Sequence, residues 1–421
     1  MSGKNRLEYG LIGEKLAHSY SKLIHDRLGG YGYELYEIAA EGLDLFLKER
    51  RFKGLNVTIP YKKAVIPYCA ELSFAAKRIG SVNTLLVQGD GSLYGHNTDY
   101  DGFLYTVKSA GISFEEKKVL ILGSGGTSLT ARAAAEDLGA REIITVSRGG
   151  DVNYENIYLQ TDAGIIVNTT PVGMYPKTGE APVDLSRFPA LSGVVDVIYN
   201  PLYTALLLQA RELGIAHTCG LPMLVAQAKA AAELFLSQTI ADSETERICR
   251  EIMGKITNIV LIGMPGSGKT SLGRRLASIL SKKFTDTDDL IVERAGMSIP
   301  DIFNELGEAR FRELESEVIR DVGKESGLVI ATGGGAIMKE QNRAALRQNG
   351  RVYYIVRELH ALDTQNRPLS SSIEALQELE RKRRSVYSAF CDVKISNDAA
   401  PEAAVGAIAE DFYENFGNKR P

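Results

Sequence analysis

NIVLIGMPGSGKTS, residues 258–271, reads as a β-branched apolar strand, a glycine turn and the opening of a helix. The turn from Gly263 to Thr270 fits G-x-x-x-x-G-K-[ST] in the strand-to-helix setting that gives this pattern its meaning. Backbone N–H groups at such a turn converge with a helix N-terminus, which suits the phosphates of a nucleoside triphosphate. Gly263, Gly266, Ser267 and Gly268 would form the cradle, with Ser271 beside it in the first helical turn. Lys269 would reach the β- and γ-phosphates, and the Thr270 hydroxyl would ligate Mg²⁺. A glycine turn with a solvent lysine is the structural alternative, and the flanking strand and helix speak against it.

A second strand–glycine–helix unit precedes it. VLIL, residues 119–122, runs into Gly123-Ser124-Gly125-Gly126-Thr127-Ser128, and EIITV follows as the next strand. G-x-G-x-x-[GA] is met only approximately, because Ser128 holds the last position, yet the βαβ context is that of a dinucleotide site. The second strand ends in Ser147-Arg148 rather than in an acid. An arginine there favours the 2′-phosphate of NADP over the bare ribose of NAD. Two loops of different chemical type imply two nucleotide-dependent reactions in one chain.

Outward from these loops, short apolar strands (LEYGLI, YELYEI, LNVTI, VNTLLV, GIIVN, VVDVI) alternate with helical patterns such as TSLTARAAAEDLG and LPMLVAQAKAAAELFL. That alternation predicts an α/β fold with parallel sheets. The expected layout is an α/β substrate domain over 1–104, completed by helices from 221–250. A Rossmann NADP-binding domain follows over 105–220, and a P-loop domain with a parallel sheet over 256–421. The 421 residues exceed one ordinary core, and a net charge of −4 argues against nucleic acid or an anionic membrane as the main partner. No apolar run reaches the length of a membrane span, and the polar start MSGKNRLEY gives no secretory signal. Cys69, Cys219, Cys249 and Cys391 are scattered without C-x-x-C, which fits reduced thiols in the cytoplasm, and the five histidines lack metal spacing.

Polar clusters supply the rest of the chemistry. In Phe284-Thr-Asp286-Thr-Asp288, strand alternation puts both carboxylates on one side, one near Mg²⁺ and one near a phosphoryl acceptor. A helix N-cap is the alternative for one of them. Arg312 and Glu315 lie one helical turn apart, so the acid can orient the guanidinium. The glycines of Thr332-Gly333-Gly334-Gly335 allow backbone to approach a ligand, and Arg367-Pro-Leu and Arg383 follow in a polar segment and a helix. This set resembles the shikimate kinase family across the second half of the chain. The resemblance implies transfer of the ATP γ-phosphoryl group to shikimate. Asp288, Arg312, Gly334 and Arg383 would hold the substrate, and Asp286 would bind Mg²⁺ through water. Lys269 and Arg367 would stabilise charge on the transferring group. The stretch between Tyr354 and Arg367 is shorter than the family's, and the arginine that stacks on adenine has only His360 as a loose counterpart.

In the first half, Ser19 and Ser21 share a face if extended, Asn56 and Thr58 share a strand face, and Lys62 follows a proline turn. Asn83-Thr84 and Asn97-Thr98-Asp99 complete a set of hydroxyls, amides, one ammonium and one carboxylate, which suits a polyhydroxylated carboxylic acid. H-S-x-S, N-V-T-x-P-x-K, V-N-T, N-T-D, the glycine loop and G-L-x-M-L-V-x-Q, in that order, resemble the shikimate dehydrogenase family over roughly residues 6–250. The resemblance implies Lys62 and Asp99 as the catalytic dyad, and Ser19, Ser21, Asn56, Thr58, Asn83, Tyr199 and Gln227 as substrate ligands. Gly220 and Met223 would lie near the nicotinamide. Lys22 and Pro222 depart from the family pattern, and a second basic residue after Arg148 is missing.

Together these readings give a bifunctional enzyme of the pathway to aromatic amino acids. It would turn 3-dehydroshikimate into shikimate with NADPH, then shikimate into its 3-phosphate with ATP and Mg²⁺. A non-catalytic sensor of shikimate or quinate, and quinate as the dehydrogenase substrate, are the alternatives.

Overall fold

The apolar strands assemble into three sheets in the computed structural model, which describes residues 8–16, 19–362 and 373–417. The first sheet contains β1 (Tyr9–Gly13), β2 (Tyr33–Glu37), β3 (Gly54–Val57), β4 (Glu71–Leu72), β5 (Thr84–Val87) and β6 (Leu93–His96). Their order is β2-β1-β3-β5-β6-β4. This sheet is mixed, because β5 runs antiparallel to both β3 and β6. The reason is local. Only Gln88–Ser92 separates β5 from β6, the Gln88 N–H donates to the Ser92 carbonyl, and Gly91 has φ 83°. So short a connection permits a hairpin but not the crossover a parallel pair needs.

The second sheet is parallel throughout. It contains β7 (Lys118–Leu122), β8 (Glu142–Val146), β9 (Ala163–Asn168), β10 (Gly193–Asp196) and β11 (Ala216–Thr218), ordered β11-β10-β9-β7-β8. Strands β8 and β9 flank β7 on opposite sides, so the connections that leave β7 and β9 run in opposite directions across the sheet. Gly123 begins at the end of β7, at the topological switch point where α/β sheets bind ligands. Val119, Leu120, Ile121 and Leu122 are buried on both faces, as expected of a central parallel strand.

The helices Thr98–Ser109 and Leu221–Leu236 run against one another, and Gly102 sets their distance. A Cβ at Gly102 would lie 2.7 Å from the Met223 carbonyl oxygen and 3.0 Å from the Gln227 Cβ. The second helix also closes one face of the first sheet. Phe235 stacks on Tyr9 at 4.8 Å, and the Tyr9 hydroxyl donates to the Phe235 carbonyl.

The third sheet contains β12 (Asn258–Ile262), β13 (Lys283–Asp286), β14 (Leu328–Ala331), β15 (Gly350–Val356) and β16 (Val393–Ser396), all parallel in the order β13-β14-β12-β15-β16. Strand β12, which feeds the glycine turn at Gly263, is central and fully buried. One face packs on Phe311, Val318, Ile319, Leu376 and Tyr387, the other on Leu272, Leu276, Ile408 and Phe412. By contacts the chain forms two units: Met1–Val172 with Ala181–Tyr199 and Gln209–Cys249, and Arg250–Pro421 with Gly173–Glu180 and Asn200–Leu208. Within the second unit the Leu202 N–H donates to Asn349 Oδ1 at 3.0 Å and the Tyr203 N–H to the Gln348 carbonyl at 2.9 Å.

Gly102→Ala is expected to destabilise the first unit by about 1–3 kcal/mol, because backbone of the facing helix cannot yield to the added methyl. Gly406→Ala, where nothing lies within 4 Å of the added Cβ on the helix Pro401–Phe416, is expected to stabilise by up to about 1 kcal/mol. Thermal-unfolding midpoints of the two variants should move in opposite directions.

Candidate active sites

In the first unit, strand β3 and the start of the helix Thr98–Ser109 face one another across β5. Asn97 caps that helix, its Oδ1 accepting from the Tyr100 N–H, and Asp99 falls in the first turn. A carboxylate is favoured there by the helix dipole. The Lys62 ammonium donates to Asp99 Oδ2 at 2.5 Å, and both side chains keep partial access to solvent.

The helix start is held by a buried amide network. Asn83 Oδ1 accepts from the Thr98 N–H at 2.7 Å, and Asn83 Nδ2 donates to Thr98 Oγ1. Asn56 lies opposite Thr84 in the β3–β5 register, and its Nδ2 donates to Thr84 Oγ1 at 3.2 Å. Asn56 Oδ1 accepts from the Tyr33 hydroxyl at 2.8 Å, which fixes the direction of the amide. Tyr33 is fully buried, and its ring stacks on His25 with centroids 3.8 Å apart. Burial pushes the His25 pKa down to about 3, so the imidazole is neutral. Neither Tyr33 nor His25 is visible as a site residue in the sequence, because each reads there as an ordinary core position.

Ser19, Ser21, Asn56, Thr58, Lys62, Asn83, Asp99, Tyr199 and Gln227 line one cavity of about 590 Å³. Lys15, Tyr20 and Thr127 of the glycine turn line it too, with Gly220 and Met223. Ser19 and Ser21 are not alternate residues of one extended segment, as the sequence suggests. Ser21 opens the helix Ser21–Leu28, and its N–H donates to Ser19 Oγ at 3.2 Å. Lys22, next in that helix, turns away to donate to the Tyr33 carbonyl and to Glu34. Tyr20 and Tyr199 meet edge to face at 6.0 Å, and burial raises both phenol pKa values. At Gly220 any Cβ would lie 1.9 Å from the Val197 carbonyl oxygen, so only glycine fits.

The glycine turn after β7 fits a dinucleotide. Gly123 has φ 104°, and a Cβ there would meet Thr169 Oγ1 at 2.9 Å. Ser124, Gly125 and Gly126 are exposed, and a Cβ on either glycine would meet nothing within 4 Å, leaving the N-terminus of the helix Gly126–Asp137 open to a phosphate. Ser128, the imperfect motif position, is buried and donates its hydroxyl to the Gly125 carbonyl at 2.6 Å. Arg148 is exposed in the turn after β8, where a 2′-phosphate would be met.

In the second unit, Gly268 has φ 95° and caps the helix Lys269–Ile279. The Lys269 ammonium donates to the carbonyls of Gly263 and Met264 at 3.0 and 2.9 Å, so the turn is drawn around it. Ser267 Oγ is buried with no hydrogen-bond partner among the described residues, an orphan that an incoming phosphate oxygen would satisfy. Gly266 completes the turn with φ 80°. Asn397, just past β16, donates from Nδ2 to the Ser267 carbonyl at 2.8 Å; no motif marks this residue.

Thr270 Oγ1 donates to Asp286 Oδ2 at 2.7 Å, so one hydroxyl and one carboxylate stand together where Mg²⁺ would bind; Ser271 is exposed in the next position. The strand-alternation argument for Asp286 and Asp288 does not hold. Strand β13 ends at Asp286, whose Oδ1 caps the helix Thr287–Ala295 through the Asp288 N–H, and Asp288 is already helical. The two carboxylates are related by a helix cap, not by a pleat.

Asp288 and Glu315 nonetheless converge. A Cβ at Gly333 would lie 2.7 Å from Asp288 Oδ1 and 3.1 Å from Glu315 Oε1. One at Gly335 would strike the Arg312 guanidinium, and one at Gly334 the Pro265 ring. Glu315 holds Arg312 at 2.8 Å, as expected of an orienting acid. Burial raises the Glu315 pKa, opposed by Arg312, Arg383 and Lys339. Arg383 is buried beside them, and the Tyr387 hydroxyl donates to the Gly334 carbonyl. His360 is exposed and pairs with Glu358 at 3.3 Å. Arg367 lies outside the described residues.

Residues 11–85 match the family described as shikimate dehydrogenase substrate binding domain. A shikimate dehydrogenase (NADP(+)) of Clostridium beijerinckii is 37% identical over 248 residues, covering 54% of this chain and 91% of the relative. The chain belongs to the shikimate dehydrogenase family. A chorismate mutase/shikimate 5-dehydrogenase fusion from Clostridium acetobutylicum aligns with TM-score 0.56 and 37% identity, over 59% of this chain and 97% of that one. The shikimate 5-dehydrogenase of Thermus thermophilus, solved in complex with NADP(H) and shikimate, gives 0.52 and 32% over 58% and 98%. Residues 265–413 match the shikimate kinase family, so this dehydrogenase carries a kinase domain after it.

Tyr33→Phe would leave the buried Asn56 Oδ1 without its donor. The expected cost is about 1–3 kcal/mol, read as a lower urea midpoint for the first unit.

Proposed function

We propose that the chain performs two successive reactions on one cyclic hydroxy acid: reduction of 3-dehydroshikimate to shikimate by the first unit, and phosphorylation of the shikimate 3-hydroxyl by the second. The observation that carries the first reading is the Lys62–Asp99 pair, 2.5 Å apart in a cavity that Thr127 of the glycine turn also lines. When bound, NADPH supplies the hydride, and ATP with Mg²⁺ supplies the phosphoryl group.

In the dehydrogenase half, the Lys62 ammonium donates a proton to the substrate's carbonyl oxygen as that oxygen becomes a hydroxyl, and is reprotonated from solvent. Asp99 accepts a hydrogen bond from the neighbouring substrate hydroxyl and holds the Lys62 ammonium aimed at the carbonyl. Asn56, Thr58, Asn83 and Gln227 hold the ring hydroxyls, while Ser19, Ser21 and Tyr199 face the carboxylate. Gly123 to Thr127 hold the pyrophosphate, Arg148 the 2′-phosphate, and Gly220 and Met223 the nicotinamide.

In the kinase half, Asp288 accepts the hydrogen bond of the attacking hydroxyl, and Arg312 and Arg383 grip the carboxylate with Gly334 beside the ring. The turn from Gly263 to Ser271 holds the triphosphate, Thr270 and Asp286 hold Mg²⁺, and Lys269 and Arg367 carry the negative charge of the transferring group. Four scattered free thiols fit the cytoplasm as the compartment.

A coupled assay with 3-dehydroshikimate, NADPH and ATP tests the pair. Lys62→Ala is expected to slow NADPH consumption by roughly 10²–10⁴-fold while phosphorylation of added shikimate continues. Lys269→Ala should reverse the pattern, and chelation of Mg²⁺ should stop phosphorylation alone. Native protein that binds shikimate yet oxidises none with NADP⁺ would replace the dehydrogenase reading with that of a sensor.

A further inference from the structure

Among the described residues, three formally charged ones line the cavity of the first unit: Lys15, Lys62 and Asp99. Lys62 and Asp99 hold each other at 2.5 Å, so their charges cancel at the reacting end. Lys15 makes no hydrogen bond or ion pair with any described residue. Among the described residues that line the cavity, Lys15 is therefore the one cation without a paired anion.

We infer that Lys15 is the cation that recognises the substrate's carboxylate, an inference that rests on the dehydrogenase reading above. Position supports it. Lys15 lies two residues past the end of β1, after Glu14, and the next residue is anchored twice: the Leu16 N–H donates to Glu37 Oε1 at 2.8 Å, and the Leu16 carbonyl accepts from the Ser19 N–H at 3.0 Å. That anchoring holds Lys15 on the stretch of wall that carries the Ser19 and Ser21 hydroxyls, while the phosphate-binding turn begins at Gly123. Hydroxyls give a carboxylate hydrogen bonds but no charge, and the ammonium supplies the charge they lack. Lys15 is solvent-exposed, so its effect is on capture and affinity rather than on the chemical step.

The test compares native protein, Lys15→Gln and Lys15→Arg, with shikimate and its uncharged methyl ester as probes, by calorimetry and by NADP⁺-dependent oxidation. Lys15→Gln is expected to raise Kd and KM for shikimate roughly three- to tenfold, with kcat held within about twofold and the KM for NADP⁺ unchanged. Lys15→Arg should restore the native values. The methyl ester should bind native and Lys15→Gln protein alike, and added salt should weaken shikimate binding less in the variant. An unchanged shikimate Kd, or an equal loss for acid and ester, would overturn the role, and a raised KM for NADP⁺ alone would reassign Lys15 to a cofactor phosphate. If native protein binds shikimate without oxidising it, the dehydrogenase reading fails, while the calorimetric comparison still decides the fate of Lys15.

Discussion

The close crossing of two helices at Gly102 is the constraint on which the first site depends. With hydrogen in place of a side chain, backbone of the helix Leu221–Leu236 comes within contact of the helix Thr98–Ser109. One helix brings Asp99, the other Met223 and Gln227, and the cavity exists because they meet. A larger residue would part them by the thickness of a methyl group, and packed interiors do not absorb such a change freely. Asp99 can then serve two ends at once: its place in the first turn suits the helix dipole, and its contact with Lys62 neutralises a cation that would otherwise repel that dipole.

The second site uses glycine for the same physical end. Gly333, Gly334 and Gly335 each abut a different group, namely the Asp288 and Glu315 carboxylates, the Pro265 ring and the Arg312 guanidinium. Three successive positions without side chains let four charged or rigid groups share one small volume. Burial of the Glu315 carboxylate raises its pKa, and Arg312, Arg383 and Lys339 oppose that shift only in part.

Much of this was legible in the residues. The turn at Gly263 and the Arg312–Glu315 pair follow from motif spacing, because local chemistry demands those residue types, while Lys62 and Asp99 were implied as partners by the resemblance to the dehydrogenase family. The misreadings share one cause. Strand alternation places Asp288 on a pleat but it is helical, and Ser21, which an extended segment would align with Ser19, opens a helix. Each is a question of where an element ends. Periodicity describes the middle of an element well and its boundary poorly. Tyr33, His25 and Asn397 escaped notice for another reason: they act on site residues from the core, and nothing in their sequence neighbourhood distinguishes them from packing.

The sequence by itself determined the α/β class and two nucleotide loops of different chemistry, because strand, glycine turn and helix are short-range instructions. Only the tertiary structure decided how the polar groups at each site are used. It set the direction of the Asn56 amide through Tyr33, the convergence of Asp288 with Glu315 at a glycine, and the pairing of Lys62 with Asp99 that leaves Lys15, among the described residues lining the cavity, as the one cation without a paired anion. Those outcomes depend on distances between residues far apart in the chain, and electrostatic balance follows distance rather than order in sequence.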